Sequence, residues 1–65
     1  MKQEIIKDKY GNKLALMETS GEKTVLYDKN NVQLGAYFSI NNFTVDKSGK
    51  NIGSGNLLMN LMPKQ

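Results

Sequence analysis

Residues 26–35 of this 65-residue chain read Leu26-Tyr27-Asp28-Lys29-Asn30-Asn31-Val32-Gln33-Leu34-Gly35. The middle of this segment has the composition of a tight turn. The carboxylate of Asp28 can accept hydrogen bonds from backbone N–H groups two residues on, and Asn31 tolerates the left-handed conformation. Aromatic and branched side chains on both flanks favour strands. The segment therefore predicts a β-hairpin closed by a type I turn and a bulge.

Two other segments, residues 6–15 and 44–53, repeat this pattern. All three share the motif Asp-Lys-x-[Gly/Asn]-x-x-[Leu/Ile]-[Ala/Gly], and the turn pairs are Asp8/Gly11, Asp28/Asn31 and Asp46/Gly49. Self-similarity with a period of about 20 residues is typical of repeat architectures. We therefore predict an all-β single domain over residues 1–65, with about six short antiparallel strands in three hairpins at about 4–19, 23–40 and 43–62.

The predicted strands carry apolar residues on both faces. After the second turn, one face receives Leu34, Ala36, Phe38 and Ile40 and the other receives Gly35, Tyr37 and Ser39. In the first hairpin, Leu14 and Leu16 fall opposite Ala15 and Met17. Such strands are typical of sheets buried on both sides. The motif also ends each time in a small residue, at Ala15, Gly35 and Gly53. This indicates either the close approach of another backbone or ring, or a glycine tolerated at a bulge.

The C-terminal segment, residues 57–62, is the most apolar stretch of the chain. Its spacing fits one side of a short helix or a buried strand of six residues. Its place as the exit strand of the third hairpin favours the strand. We expect its apolar side chains to be the partner-binding residues, namely Leu57, Leu58, Leu61 and Met62.

Composition excludes several classes of site. The chain has no Cys and no His, so disulfides, thiolate metal sites and the commonest general base are absent. The recurring Asp8, Asp28 and Asp46 are explained by turns, and their surroundings do not fit the EF-hand pattern. We therefore expect no cofactor, no metal and no enzymatic activity. The N-terminal residues show no signal peptide and no apolar run suits a membrane span, so we expect a cytoplasmic protein.

The repeat also resembles the small bacterial β-flower proteins, which are built from hairpins arranged as petals around an axis. The resemblance covers roughly residues 5–58. It is carried by Asp8 and Gly11, by Leu26-Tyr27-Asp28 with Asn31 and Gly35, and by Asp46, Gly49 and Gly53. The chain departs from the four-petal pattern in having three units and in carrying Asn31 where Gly is expected. The resemblance implies a fold and no particular activity.

A chain of this length with 38% hydrophobic residues buries only a thin core, which leaves apolar surface for a partner. We therefore predict a non-enzymatic protein that binds a protein partner or itself as a homo-oligomer. The alternative is a nucleic-acid-binding module, because the formal net charge is +3 and aromatic residues lie among the lysines. Its candidate contacts are Lys9, Lys29, Lys47, Tyr27 and Tyr37.

Overall fold

A computed structural model describes residues 1–62 as one six-stranded antiparallel sheet in which every strand pairs with the next along the chain. The strands are β1 (Lys2–Lys7), β2 (Lys13–Ser20), β3 (Lys23–Asp28), β4 (Gln33–Phe38), β5 (Phe43–Asp46) and β6 (Asn51–Ser54). A 3-10 helix, Leu58–Leu61, follows β6. The all-β prediction is confirmed. The predicted domain runs to residue 65, and its last three residues lie outside the described range.

The three Asp turns have the same geometry. In the first turn, the backbone N–H of Gly11 donates to the carbonyl oxygen of Asp8 at 3.1 Å. The Asp8 carboxylate accepts from the N–H groups of Tyr10 and Asn12 at 2.8 and 2.9 Å. The carboxylates of Asp28 and Asp46 accept from the N–H groups two and four residues on in the same way. The predicted role of the aspartates in the turns is therefore confirmed.

The fourth turn position is left-handed in every copy, with φ of 86° at Gly11, 67° at Asn31 and 89° at Gly49. Each hairpin also shows a register shift just before its turn, at Ile6/Lys7, Leu26/Tyr27 and Thr44/Val45. These are the bulges expected of a type I turn followed by a left-handed residue. The bulges set the register, and the register decides which side chains share a face.

One face of the sheet carries the core, and we call it the tail face because residues 57–62 cover it. Ala15, Leu26 and Leu58 are fully buried there and pack together. Cross-strand pairing places Met17, Leu26, Gly35 and Asp46 in one row of this face. Leu34, predicted to lie on the opposite face, contacts this core from its place at the bulge. Ile40 lies beyond the end of β4 and is exposed.

The strand interpretation of residues 57–62 is wrong. The third hairpin ends with β6 at Ser54, and the chain then crosses the tail face as a 3-10 helix that contacts β4. Thr44 anchors the crossing. Its buried hydroxyl donates to the carbonyl oxygen of Gly55 at 2.7 Å and accepts from the N–H of Leu57 at 2.9 Å. These two bonds turn the chain out of the sheet plane.

The small residues of the motif make room for this crossing. A Cβ atom at Gly35 would collide with the side chain of Leu61 and would lie 2.5 Å from the carbonyl oxygen of Val45. A Cβ atom at Gly53 would lie 2.7 Å from a methyl group of Leu57. Close contacts therefore exist at Gly35 and Gly53, but leucine side chains of residues 57–62 make most of them, and no aromatic ring does. Gly53 also lies beside a bulge, as the other interpretation expected.

Candidate interaction surfaces

The four residues predicted to bind a partner lie on the tail face. Leu58 is fully buried in the core, and Leu57, Leu61 and Met62 are half-buried. Leu61 and Met62 pack against the core cluster. Leu58, Leu61 and Met62 therefore contribute to the chain's own core in this structure.

The opposite face of the sheet is apolar, and no element among residues 1–62 packs over it; we call it the open face. Pairing between strands places on it Ile5, Leu16, Val25, Tyr27, Ala36, Phe38, Phe43 and Val45. Ile5 is 54% exposed, and Val25 and Ala36 are buried. The other five side chains are half-buried, namely Leu16, Tyr27, Phe38, Phe43 and Val45. An antiparallel sheet with one face in water normally carries polar side chains on that face. The open face also carries polar side chains, among them Gln3, Glu18, Ser20 and Lys23, but its central strands β3, β4 and β5 present mainly apolar ones.

Aromatic rings and two opposite charges occupy the end of the open face away from the Asp turns. The rings of Phe38 and Phe43 stack with their centroids 5.3 Å apart. The ammonium group of Lys23 lies 5.6 Å from the centre of the Phe38 ring, within cation–π range. Glu18, one row further along, accepts a hydrogen bond from the side-chain amide of Gln3 at 2.8 Å. The face thus offers flat rings and one charge of each sign.

A shallow cavity of about 270 Å³ lies on the same face, lined by Leu16, Glu18, Tyr27 and Asn31. Its walls combine two apolar side chains with a carboxylate and an amide. Asn31 is oriented by the ammonium group of Lys13, which donates to its side-chain oxygen at 3.3 Å. The cavity is too open to enclose a small substrate, and it suits a side chain projecting from a partner surface.

The three Asp turns lie at the same end of the sheet, which we call the turn end, because alternate connections of a meander leave from one side. Six lysines lie in or beside these turns: Lys7, Lys9, Lys13, Lys29, Lys47 and Lys50. With three aspartates beside them, they leave a charge of +3, equal to the formal net charge of the whole chain. The structure therefore places Lys9, Lys29 and Lys47 at the same end of the sheet, the turn end.

The two tyrosines predicted to contact nucleic acid lie on opposite faces. Tyr27 belongs to the open face, whereas Tyr37 belongs to the tail face and donates from its hydroxyl to the side chain of Asn42 at 2.9 Å. One bound strand cannot stack on both rings while it follows the lysines of the turn end. The five predicted residues therefore do not form a single site.

Hydrogen bonds within the first and third turns lower the pKa of Asp8 and of Asp46. Hydrogen bonds from the N–H groups of Asn12 and Tyr10 hold the pKa of Asp8 below its usual value of 3.8, and the larger effect is that of Asn12. The Ser48 hydroxyl and then the N–H of Lys50 lower the pKa of Asp46. Within residues 1–62, no three acidic groups come together in a way that could hold a metal ion. We therefore interpret these carboxylates as turn-forming groups.

Comparison with protein-family models, with curated proteins and with solved structures finds no match to this chain. The likeness to β-flower proteins therefore stays a prediction. Among residues 1–62, no helix reaches the length and apolar character needed to cross a membrane.

The open face was not identified from the sequence as a site, although its signal is present. Alternation along β4 places Ala36 and Phe38 together, and alternation along β5 does the same for Phe43 and Val45. What the sequence did not disclose is which of two apolar faces the final segment covers. That choice depends on Thr44 and on the space above Gly35.

Proposed function

We propose that this protein acts by binding another protein chain through the open face, and that it does so without catalysing a reaction. The observation that carries the proposal is the apolar open face with its stacked Phe38 and Phe43, over which no described element packs. Aromatic side chains in a flat apolar surface are typical of the centre of protein interfaces. The binding of a protein partner or of a second copy both fall within this proposal.

Site-specific photo-cross-linking tests the proposal. A photoreactive phenylalanine analogue replaces Phe43 in the full chain, and a matched variant carries it at Tyr10, which is 76% exposed at the turn end. Irradiation in the native host should give an adduct of one defined mass from position 43 that excess unmodified protein suppresses. Position 10 should give none. Absence of an adduct at position 43, or equal adducts at both positions, would contradict binding through the open face.

A second candidate function, nucleic-acid binding, is favoured by one observation, the collection of six lysines at the turn end. Neighbouring Asp turns are two strands apart, or about 10 Å at the usual strand spacing. A polyanion lying along this end could therefore contact Lys9, Lys29 and Lys47 in turn. Such binding would be electrostatic and independent of sequence, because the described lysines offer point charges and no bidentate donors.

Fluorescence anisotropy of a labelled 20-nucleotide DNA strand tests this candidate. Three phosphate contacts predict that affinity falls about 20-fold between 50 and 200 mM salt. A variant with Lys9, Lys29 and Lys47 changed to Gln should lose this dependence, whereas a Lys2→Gln control should keep it. No change in anisotropy at 50 mM salt would exclude nucleic-acid binding as the function.

A further inference from the structure

We infer that the occupant of the open face is the open face of a second copy of this chain, so that two sheets form a β-sandwich with twofold symmetry. The inference rests on the proposed function and names the partner. Stable domains consist of at least two packed layers of secondary structure. Here the second layer over the tail face is a single 3-10 helix, and over the open face it is missing from the described chain.

The small core indicates that a second layer would add to the stability of the chain. Within residues 1–62, the buried hydrophobic residues are Ala15, Val25, Leu26, Ala36 and Leu58. Two of the five are alanines, which contribute little apolar surface. Chains of this size usually need a disulfide, a metal or self-association in addition to their core. The sequence contains no Cys, and a second copy is the one partner that is always present where the chain is made.

The open face fits a copy of itself. Glu18, Val25, Ala36 and Val45 form one cross-strand row, and Ser20, Lys23, Phe38 and Phe43 form the next. Consider a twofold axis that lies between the two sheets, perpendicular to the strands and midway between these two rows. Rotation about this axis places each row of one copy over the other row of its partner. The bulky rings of Phe38 and Phe43 in one copy then lie over the smaller Ala36 and Val45 of its partner. Large side chains over small ones allow two sheets to interdigitate at their usual separation of about 10 Å.

The charges agree with the same axis. It brings Glu18 of one copy beside Lys23 of the other, one strand apart, and the symmetry makes this contact twice. It also reverses the strand direction, so the two turn ends, each with six lysines, point away from one another. An axis placed on the Ala36 row would instead set Glu18 directly against its own copy, which is unfavourable.

The size of the face sets the expected strength. Five strands about 4.8 Å apart and about five residues long give a flat area of roughly 24 by 17 Å, or about 400 Å² per copy. This figure leaves out the additional surface of side chains that project from the sheet. Twice that area, about 800 Å², is below the standard size of specific interfaces and is typical of weak, transient contacts. We therefore expect a dissociation constant in the micromolar range, with exchange between monomer and dimer.

Sedimentation equilibrium of the full chain from 5 to 500 μM, with charge reversal and rescue, tests the inference. The wild type should approach twice its 7.3 kDa mass. Glu18→Lys should weaken association at least tenfold, because two like charges then meet twice. The double variant Glu18→Lys/Lys23→Glu should restore it. Glu4→Lys is the matched control. It makes the same change of charge on β1, but on the tail face, and should associate like the wild type. Circular dichroism checks that every variant is folded.

Two results would overturn the inference. A dimer that Glu4→Lys weakens and Glu18→Lys leaves intact would place the contact at the β1 edge. A monomer at 500 μM would exclude a second copy. The binding of a hydrophobic dye to the monomer then tests the proposed function separately. If the wild type binds the dye and Phe43→Ser does not, the open face is exposed and is available to a different protein. No dye binding means that both the inference and the proposed function fail.

Discussion

Asn31 occupies the left-handed position of the second Asp turn, where the first and third turns have Gly11 and Gly49. Asparagine adopts a φ of 67° more readily than most residues, but only glycine does so without a steric cost. The Asn31 side chain accepts one hydrogen bond, from Lys13 at 3.3 Å at an exposed position. That bond is long and exposed to water, so it offsets little of the conformational cost.

Replacement of Asn31 should therefore change stability in opposite directions for two small residues. Asn31→Gly should raise the free energy of unfolding by about 0.5 kcal/mol, because the left-handed conformation becomes free of strain. Asn31→Ala should lower it by about 1 kcal/mol, because alanine meets the full steric cost. Urea unfolding followed by circular dichroism measures both values. Equal stabilities for the two variants would show that the turn does not hold its left-handed conformation in solution.

The turn carboxylates predict how stability depends on acidity. Folding lowers the pKa of Asp8 and of Asp46 below 3.8, so the unfolded chain binds protons more readily in acid. Their contribution to stability is therefore complete above about pH 4 and is lost as the pH falls through the lowered pKa values. With no His in the chain, we expect nearly constant stability between pH 5 and 8.

Asp46→Asn separates the charge from the turn geometry. The amide oxygen can still accept hydrogen bonds from the N–H groups of Ser48 and Lys50, so the hairpin should form. Its loss of stability below pH 4 should be smaller than that of the wild type, as measured by the thermal midpoint between pH 2 and 7. If the variant and the wild type showed the same acid dependence, the carboxylate would not be the group that titrates.

At the scale of secondary-structure elements, the hairpins were predictable because their determinants are local. An Asp at the start, and a Gly or Asn three residues later, fix the turn, the bulge and the register within one segment. The conformation of residues 57–62 was not predictable in this way. Six apolar residues satisfy a helix and a strand equally well, and contacts distant in sequence make the choice. Those contacts come from Thr44 and Gly35.

Thr44 consequently carries an element-scale prediction. Thr44→Val keeps the shape of the side chain but leaves the carbonyl oxygen of Gly55 and the N–H of Leu57 without their partner. We expect a loss of about 2–4 kcal/mol in the free energy of unfolding, because both groups lose a bond at a buried hydroxyl. Native-state hydrogen exchange should also show faster exchange of the Leu58 and Asn60 amides.

Thr24→Val is the matched control. Thr24 lies in the same cross-strand row of the tail face, and its hydroxyl shares one hydrogen bond of 3.2 Å with Thr19. Its replacement should cost less than about 1 kcal/mol and should leave exchange at residues 57–62 unchanged. If the two variants lost equal stability, the hydroxyl of Thr44 would not be what holds residues 57–62 on the sheet.

At the scale of the whole molecule, the two faces of one sheet have different roles. The chain covers its tail face with its own residues 57–62 and leaves the open face apolar, while the +3 charge gathers at the turn end. Sequence reasoning located the charged turns and the apolar strands correctly. It assigned partner binding to Leu57, Leu58, Leu61 and Met62, and the structure shows that Leu58, Leu61 and Met62 also pack on the chain's own tail face, a contact that depends on the folded chain.

A dimer formed by the open faces makes thermal stability depend on protein concentration. If the folded unit is a pair of chains, unfolding releases two chains, and the midpoint must rise with concentration by mass action. An unfolding enthalpy of about 0.7 kcal/mol per residue predicts a rise of about 5 °C per tenfold increase, once the protein exceeds its dissociation constant. Differential scanning calorimetry at 50 and 500 μM measures the shift. The midpoint of Glu18→Lys should move less over the same range, because a larger share of its folded state is the single chain. A wild-type midpoint that does not move with concentration would mean that the sheet is stable as a monomer and that its open face needs no second copy.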